Sequence, residues 1–403
     1  MRIALLASSF LPRIGGAELV VHNLAQHLQR LGHKPSVITW WGLWKEARRA
    51  VPYPVLPLLP QSYTPASRTR WEAGRGRRWP VAAQVAVLQA LGRFDVWHIH
   101  MAYPLAMLAT RVLQRMGVPV VITCHGDDLM ANEAMRFRVR FNPHLDAALR
   151  DAWLQAAFVT AISPLMEAEF RQAGVPAERI RRVANGVECT RLAARTATAD
   201  EVRRRHGVPE GVPLLVSVGR HHIMKGFQFI PEAVAQVRSH GREVCWLVVT
   251  DLPELVDQSA AAAGLTGWVR GVPLLPADPG EGSLALPPRG LIELYQAATA
   301  VVVPSVVEPF GNVIIEALAA GTPVLASDHT GCTEALRQGG GGLVHRAGDA
   351  QALGADVLRI LQDEPLRLAL ARQAGELARN YDWPRIAADY VTVYRAAGSE
   401  RMR

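Results

Sequence analysis

The feature that most constrains the fold of this chain is a regular alternation of short apolar runs with amphipathic helix patterns. The segments between the runs carry apolar residues near every third and fourth position, which is typical of helices packed on one face. In the first part of the chain the runs that read as strands are residues 2–10, 34–41, 94–100, 118–125 and 157–163. This repeating pattern predicts an α/β fold with a parallel, doubly wound sheet.

A second series of the same kind begins after Asn185-Gly186. Its predicted strands are residues 213–220, 243–250, 267–272, 299–305 and 322–328. A chain of 403 residues is too long for one hydrophobic core and suits two domains of about 200 residues each. We therefore predict one domain over residues 1–190, a second over 191–380, and a terminal helical segment over 381–403.

The start of the chain and its cysteines bear on the compartment. The opening run MRIALLASSF is short and leads into a Gly-Gly and a helix pattern, so we interpret it as a buried strand rather than a signal peptide. No run of about 18 apolar residues predicts a membrane span. The cysteines form no CxxC pair, which favours buried thiols in a reduced, cytoplasmic protein over a zinc site. They are Cys124, Cys189, Cys245 and Cys332.

The excess of basic charge is confined to the first half of the chain. Residues 1–190 hold 23 Lys and Arg against 13 Asp and Glu, whereas residues 191–403 hold 21 against 23. Nine of the basic residues lie in 42–93, and five of the ten tryptophans lie between 40 and 79. Such a surface suits an anionic membrane or acceptor, whereas no nucleic-acid recognition motif appears, so we predict no nucleic-acid partner. The alternative is that the tryptophans pack locally and the arginines are solvated.

Residues at strand exits are the candidates for a site, because ligands of open α/β sheets bind beyond the carboxyl ends of the strands. Gly15 and Gly16 follow the first strand, where paired glycines let backbone N–H groups approach an anion; a tight turn explains them equally well. His125 ends another strand, where a histidine can donate to a hydroxyl or transfer a proton; a structural role is the alternative.

Two further groups at strand exits in this domain are expected to be structural. Asp127 and Asp128 follow His125 and raise the possibility of a divalent-metal site, but no third carboxylate accompanies them, so we predict none. His98 and His100 end another strand, and we expect both to be structural.

The second predicted domain places two basic and two acidic side chains near strand exits. Arg220 and Lys225 lie five apart on one loop, where a guanidinium and an ammonium can hold a diphosphate without a metal. Glu308 follows the strand 299–305, and Glu316 lies about one turn into a helix whose free N–H groups can bind oxygens. Carboxylates bind hydroxyl pairs, so this set fits a nucleotide sugar. A structural salt bridge for each glutamate is the alternative.

Several segments resemble motifs of the retaining GT-B glycosyltransferases of glycosyltransferase family 4 (GT4). GGAELVVHNLAQHLQRLGH resembles the family's first loop and helix, and VANGVE resembles its interdomain Asn-Gly-Val. GRHHIMKG resembles its G-R-x4-K-G element, and EPFGNVIIEALAAGTPVLAS resembles its E-x7-E element. The resemblance covers nearly the whole chain, and these motifs in order are far more specific than any one alone.

The resemblance implies an architecture and a reaction. It implies two Rossmann-like domains facing across a cleft, an acceptor-binding domain first and a nucleotide-sugar-binding domain second, with the terminal helix crossing back to the first. It implies transfer of a sugar from a nucleotide diphosphate sugar to an acceptor hydroxyl, with the anomeric configuration retained and no metal or other cofactor. UDP is the nucleotide we expect, GDP is next, and cell-envelope, polysaccharide or glycolipid synthesis is the expected setting.

The resemblance also assigns roles to individual residues. It implies that Arg220 and Lys225 hold the diphosphate, that Glu308 contacts the sugar hydroxyls and that Glu316 binds the ribose. It places His125 by the sugar. Backbone groups beside the phosphates, sugar and acceptor are those of Gly15, Gly16, Phe310, Gly311, Asn312 and Val313. The expected catalytic set is His125, Arg220, Lys225 and Glu308.

Two departures from the family pattern leave the nucleotide open. The family often has a Gly-rich turn where this chain has residues 249–253, and the Pro/Gly-rich loop 274–290 looks longer than usual. Two other functions compete with glycosyl transfer. One is a nucleotide-sugar epimerase of the same fold, and the other is a sugar-binding protein with an inactive site. The presence of every expected polar residue argues against the second.

Overall fold

The structure of the chain, a computed structural model, describes residues 1–59, 79–131, 139–276 and 286–400. It divides into two compact units. The first unit comprises Met1–Gly186 and Trp383–Arg403, and the second comprises Val187–Asp382. The chain thus passes between the units at 186–187 and 382–383.

The first unit is built on a parallel sheet with helices in the connections. Its strands are β1 (Arg2–Ala7), β2 (Lys34–Trp40), β3 (Val55–Leu58), β4 (Val96–His100), β5 (Val120–Thr123), β6 (Phe158–Ala161) and β7 (Ile180–Arg182). Its described helices are α1 (Gly16–Arg30), α2 (Trp41–Ala50), α3 (Trp79–Gly92), α4 (Ala102–Arg115), α5 (Pro143–Gln155), α6 (Pro164–Gln172) and the terminal helix of the chain, Trp383–Glu400. The strands pair in the order β3-β2-β1-β4-β5-β6-β7, which confirms the predicted doubly wound sheet.

The second unit repeats this architecture with one strand fewer among its described residues. Its strands are β8 (Leu214–Val218), β9 (Cys245–Thr250), β10 (Val269–Pro273), β11 (Ala300–Val303), β12 (Val324–Ser327) and β13 (Gly342–His345). Its described helices are α7 (Cys189–Ala193), α8 (Ala199–Arg205), α9 (Ile230–Ser239), α10 (Pro253–Ala262), α11 (Arg289–Ala297), α12 (Asn312–Ala319), α13 (Thr333–Gly339), α14 (Ala350–Gln362) and α15 (Glu364–Ala378). The strands pair in parallel in the order β10-β9-β8-β11-β12-β13.

The central strands read as continuous apolar runs because helices cover both faces of a parallel sheet. Every residue of β9 is buried, and in β1 all but Arg2 are buried. Some of the helices begin at a residue whose side chain accepts hydrogen bonds from the first free N–H groups. Thr198, for example, forms a reciprocal capping box with Glu201 at the start of α8.

The terminal helix, which we call α16 (Trp383–Glu400), belongs to the first unit. Trp383 is 1 % exposed, and its ring stacks on His27 with centroids 5.9 Å apart. Gly186 lies so close that a Cβ atom added there would be 2.4 Å from the Trp383 ring. Tyr390 and Tyr394, further along α16, are fully buried. This packing fixes the end of the described chain in the first unit.

Each sheet has one place where the order of its strands reverses. In the first unit the reversal lies between β1 and β4, and in the second it lies between β8 and β11. The loops that follow such strands diverge and leave a crevice at the carboxyl edge, where ligands of this fold class bind. The loops after β8 and β11 are those that carry Lys225 and Glu308.

Two expectations from composition can be compared with the structure. Within the described ranges, no helix combines the length and the apolarity that crossing a membrane requires. All four cysteines are free thiols, and three of them are buried.

Candidate active site

An ion pair joins the loops after β8 and β11. The ammonium Nζ of Lys225 lies 2.5 Å from Oε2 of Glu308, and both side chains are partly buried. Lys225 ends a short 3-10 turn (Ile223–Lys225) that follows β8, whereas Glu308 lies on the loop after β11. Two residues 83 positions apart in the sequence therefore meet at the strand reversal of the second sheet.

Glycine makes this approach of the two loops possible. Gly226 has a φ of +72°, in the left-handed region that other residues rarely adopt. A Cβ atom at this position would lie 1.8 Å from the carbonyl oxygen of Pro304, far inside contact distance. The main chain of the first loop therefore rests directly on that of the second, and the amide of Val306 donates to the carbonyl of Met224 at 2.8 Å.

The loop after β12 holds the backbone of Glu308 from the other side. The amide of Glu308 donates to the carbonyl of His329 at 3.0 Å, and the amide of Gly331 donates to the carbonyl of Glu308 at 2.9 Å. Contacts with the loops after β8 and β12, as well as its own loop, therefore set the position of this glutamate.

Helix α12 begins at Asn312, where the sequence pattern places a helix start. Gly311 precedes it with a φ of +100°, so a side chain there would be strained. Phe310 is 4 % exposed, and its ring meets that of Tyr381 edge-on at 6.0 Å. Asn312 and Val313 are half-buried and supply the first N–H groups of the helix. This anchored turn directs the start of α12 at the same edge of the sheet as Glu308.

Glu316 lies in α12 and is hydrogen-bonded inside the unit. The hydroxyl of Tyr295, from α11, donates to Oε2 of Glu316 at 2.9 Å. Burial raises the pKa of the Glu316 carboxyl, while the Tyr295 hydrogen bond and the charge of Arg191 oppose that rise. The carboxyl is thus held in one orientation by a fully buried tyrosine.

Arg220 has a different environment from Lys225. Its side chain is exposed, and it lies close enough to Asp251 to help lower the pKa of that carboxyl. The largest cause of that lowered pKa is the backbone amide of His221, which donates to Oδ1 of Asp251 at 2.6 Å. Asp251 stands where the family often has a Gly-rich turn, and here it fastens the loop after β9 to the loop that carries Arg220.

In the first unit, the paired glycines lie at the start of α1. The helix begins at Gly16, and Gly15 is its extended N-cap. A Cβ atom on Gly15 would lie 2.6 Å from a carboxylate oxygen of Glu18, so a glycine leaves room for that carboxylate. The other oxygen of Glu18 accepts a hydrogen bond from the hydroxyl of Ser9. A side-chain carboxylate, rather than an open anion site, therefore occupies one side of this turn.

His125 follows β5 and is half-buried. Burial lowers the pKa of its imidazole, and the carboxylates of Asp128 and Glu18 partly oppose this. Asp128 accepts hydrogen bonds from the backbone amides of Ala102, His125 and Gly126, at 2.6, 3.0 and 3.2 Å. Asp128 therefore organises the loop, and no cluster of three metal-ligating side chains exists among the described residues.

His98 and His100 are fully buried on β4. Both ring nitrogens of His98 have partners, the hydroxyls of Tyr394 at 2.7 Å and Thr123 at 2.6 Å. Nδ1 of His100 lies 3.2 Å from Nε2 of His125. His98 and His100 thus form a buried polar pair beneath His125, which we call the seam.

The predicted residues separate into two groups, one in each unit. Those at the carboxyl edge of the second sheet are Arg220, Lys225, Glu308, Phe310, Gly311, Asn312, Val313 and Glu316. Those in the first unit are Gly15, Gly16 and His125. Sequence reasoning missed Tyr295, Arg191 and Glu18, each of which touches or faces a predicted residue. Tyr295 carried no signal because its position fits the apolar face of a helix.

Comparison with known proteins identifies the family. The sequence model of Glycosyltransferase Family 4 matches residues 14–191, and that of Glycosyl transferases group 1 matches residues 212–363. The chain is 31% identical over 326 residues to D-inositol 3-phosphate glycosyltransferase 1 of Catenulispora acidiphila, covering 77% of this chain and 74% of that protein. It is 30% identical over 344 residues to 2-deoxystreptamine glucosyltransferase of Streptomyces kanamyceticus, covering 82% and 83%.

Solved structures agree on the fold. HepE from Anabaena, in a crystal structure with UDP, superposes with a TM-score of 0.78 over 98% of this chain and 99% of its own, at 20% identity. The class defined by fold and sequence is that of the GT-B glycosyltransferases. Within it, this chain belongs to glycosyltransferase family 4, the group 1 glycosyltransferases.

The raised pKa of Glu316 leads to a prediction about stability. A folded-state pKa above the unfolded value adds stability that is fully present below the unfolded pKa and is lost as pH rises through the folded pKa. Because Glu316→Gln removes the charge but keeps an acceptor for Tyr295, the variant should melt at a higher temperature than the parent at pH 8. That gain should shrink as pH falls toward 5, in thermal unfolding without ligand.

Glu376→Gln is the matched control, because Glu376 is an exposed glutamate of the same unit. It should leave the melting temperature nearly unchanged at both pH values. A Glu316→Gln variant whose stability relative to the parent does not vary with pH would contradict the assignment of a half-buried carboxylate that is destabilised when charged.

Proposed function

We propose that this protein is a retaining glycosyltransferase that moves a sugar from a nucleotide diphosphate sugar to an acceptor hydroxyl. The observation that carries the proposal is the Lys225–Glu308 ion pair at the strand reversal of the second sheet. The Lys225 ammonium can bind a phosphate, and the neighbouring Glu308 carboxylate can bind sugar hydroxyls. Helix α12 begins on the same loop as Glu308.

The chemistry requires stabilisation of a departing diphosphate. The bond between the anomeric carbon and the β-phosphate oxygen breaks, the acceptor oxygen bonds to that carbon, and the acceptor's proton goes to the departing diphosphate. Negative charge grows on the leaving group, and Lys225 and Arg220 would neutralise it without a metal. Fixed charges of this kind lower a barrier by several kcal/mol because they act most strongly in the transition state.

The other residues would orient the donor. Glu308 would accept hydrogen bonds from the sugar hydroxyls, while backbone groups of residues 310–313 would line the sugar and phosphates. Glu316 would accept from the ribose hydroxyls, and its contact with Tyr295 supports this role because it holds the carboxyl ready. In the first unit, Gly15, Gly16 and His125 would contact the donor and the acceptor.

UDP is the nucleotide that we favour, followed by GDP. The support is family membership together with the UDP in the HepE crystal structure. Residues 277–285 of the loop 274–290 lie outside the described residues.

An anionic acceptor fits the charge of the first half of the chain. Residues 1–190 have ten more basic than acidic residues. One relative is named for inositol 3-phosphate, a phosphorylated polyol, and another for 2-deoxystreptamine, an amino polyol. We therefore place the acceptor among polyhydroxylated compounds and favour one that carries a phosphate or a lipid-linked diphosphate.

Helix α2 is the part of the basic segment that we propose to contact an anionic membrane surface. Trp41 and Trp44 stack with ring centroids 4.6 Å apart, and Lys45 and Arg48 lie over them at 5.5 and 4.5 Å. A membrane surface has an anionic headgroup layer over an apolar interior. Two stacked tryptophans with cations over their rings can contact both parts of such a surface.

One of the five expected tryptophans lies in the core, and two lie outside the described residues or side chains. Trp40 is 5 % exposed, so it packs in the core and is removed from the proposed contact. Residues 60–78, which include Trp71 and five arginines, lie outside the described residues, as does the side chain of Trp79.

A thermal-shift panel tests the donor. We expect one of UDP, GDP, ADP and CMP to raise the melting temperature without metal, with UDP favoured. At 100 times its dissociation constant a ligand adds about 2.7 kcal/mol, or roughly 5–10 °C for a domain of this size. Lys225→Met should abolish most of the shift, and Glu308→Gln should keep it while lowering turnover.

Two results of the panel would count against the proposal. A flat panel with and without magnesium would refute the donor site and favour a sugar-binding protein with an inactive site. A selected nucleotide sugar that is isomerised with no acceptor present would instead identify an epimerase.

Vesicle co-sedimentation tests the membrane contact. The parent should pellet with anionic vesicles at low salt and be released at high salt, because salt screens the attraction. The double variant Lys45→Glu, Arg48→Glu should bind at least about tenfold more weakly, since each basic residue near such a surface contributes about 1 kcal/mol. Arg238→Glu is the matched control, because Arg238 lies over Trp268 at 4.6 Å in the second unit. Equal pelleting with neutral vesicles would refute the contact.

A further inference from the structure

The buried histidines of β4 bear on how His125 works. His98 and His100 lie two apart on one strand, so their side chains point to the same face of the sheet. Their ring centroids are 3.9 Å apart. On that face His98 is held at both nitrogens, by Tyr394 from α16 and Thr123 from β5. The orientation of the His98 ring is thus fixed, and the His100 ring packs against it.

One hydrogen bond links this buried pair to His125. Nδ1 of His100 and Nε2 of His125 are 3.2 Å apart, with the two rings inclined by only 21°. Burial lowers the pKa of both imidazoles, and for His100 the neighbouring histidines lower it further. The charged groups that face His125 are the carboxylates of Asp128 and Glu18, which oppose the shift. Both rings are therefore neutral near pH 7, and one proton is shared between them.

The shared proton can be bonded either to Nε2 of His125 or to Nδ1 of His100. If His125 donates from Nε2, the proton of His100 is on its own Nε2, which is buried and has no partner among the described residues. If His100 donates from Nδ1, its Nε2 carries only a lone pair. A buried N–H without an acceptor is rarer than a buried acceptor without a donor. The second arrangement is therefore the favoured one.

We propose that His100 is a positioning residue that donates from Nδ1 to Nε2 of His125 and so fixes His125 in the tautomer protonated at Nδ1. Within the described ranges Nδ1 of His125 has no hydrogen-bond partner, so it is the nitrogen left for a ligand. His125 then acts as a hydrogen-bond donor to a hydroxyl or phosphate oxygen, and it is not available there as a base. This role in binding rests on the proposed function, whereas the tautomer does not.

The tautomer can be measured without any substrate. In protein labelled with ¹⁵N-histidine, two-bond ¹H–¹⁵N correlations distinguish a protonated Nδ1 from a protonated Nε2, and loss of signals in His125→Gln assigns the residue. At pH 7.5 we expect His125 to be protonated at Nδ1. In His100→Phe the proton should move partly to Nε2, and in His100→Asn, whose amide can still donate, it should stay on Nδ1.

His22→Phe is the matched control. His22 is another buried histidine of the first unit, bonded through Nδ1 to Tyr53 at 2.7 Å and apart from the seam. Its loss should destabilise the unit but leave the His125 tautomer unchanged. Should His100→Phe fail to fold, the spectrum of the parent still decides, because a His125 protonated at Nε2 overturns the proposal.

Measurement of kcat distinguishes a positioning role of His100 from a purely structural one. With the nucleotide sugar selected by the panel as donor and water as acceptor, His100→Phe should lower the kcat of donor hydrolysis about tenfold or more. His100→Asn should restore most of it, as expected when one oriented hydrogen-bond donor is lost. A shifted tautomer with unchanged kcat would refute the positioning role. Absence of transfer by the parent would refute the proposed function, while the tautomer result would stand.

Discussion

The candidate donor site depends on one close contact, that of Gly226 with the carbonyl of Pro304. Only a residue without a Cβ atom can take that position, since the added atom would lie 1.8 Å from the oxygen. The contact draws the loop after β8 onto the loop after β11 and leaves the Lys225 ammonium 2.5 Å from Glu308. The loop after β12 then fixes the Glu308 backbone. Main-chain contacts between the three loops thus fix the geometry of the site, and the charged side chains of Lys225 and Glu308 are placed by those contacts.

The sequence predicts the interior of both sheets and the edge strand β10, but it misses the other three edge strands. The buried strands read clearly because helices cover both their faces, which requires continuous apolar runs. The strands that were missed are β3, β7 and β13, and each lies at the edge of its sheet. Proline interrupts β3 at Pro57, arginines make up most of β7, and glycine opens β13. Edge strands tolerate such residues because one side of their backbone is unpaired. Their signal is therefore weak for a physical reason.

The site shows the same division between local and long-range information. Arg220, Lys225, Glu308 and Glu316 can be chosen as candidates from the sequence because each is a charged residue beside or within an apolar run. The residues that contact them cannot be chosen in this way. Tyr295 reaches Glu316 from another helix, and His100 reaches His125 from another strand, so both contacts exist only after the fold forms. Trp40 shows the reverse error, because a residue assigned to a surface from composition proved to be core.

The measurement that tests this account most directly is calorimetric titration of a nucleotide diphosphate into Gly226→Ala and Gly241→Ala. Gly241 has a φ of +69° and nothing within 4 Å, so its variant meets only the backbone strain, about 1–2 kcal/mol. We predict affinity near that of the parent for Gly241→Ala. For Gly226→Ala we predict a loss of at least about tenfold, roughly 1.4 kcal/mol. A folded Gly226→Ala that binds the nucleotide as tightly as the parent would contradict the claim that this contact builds the site.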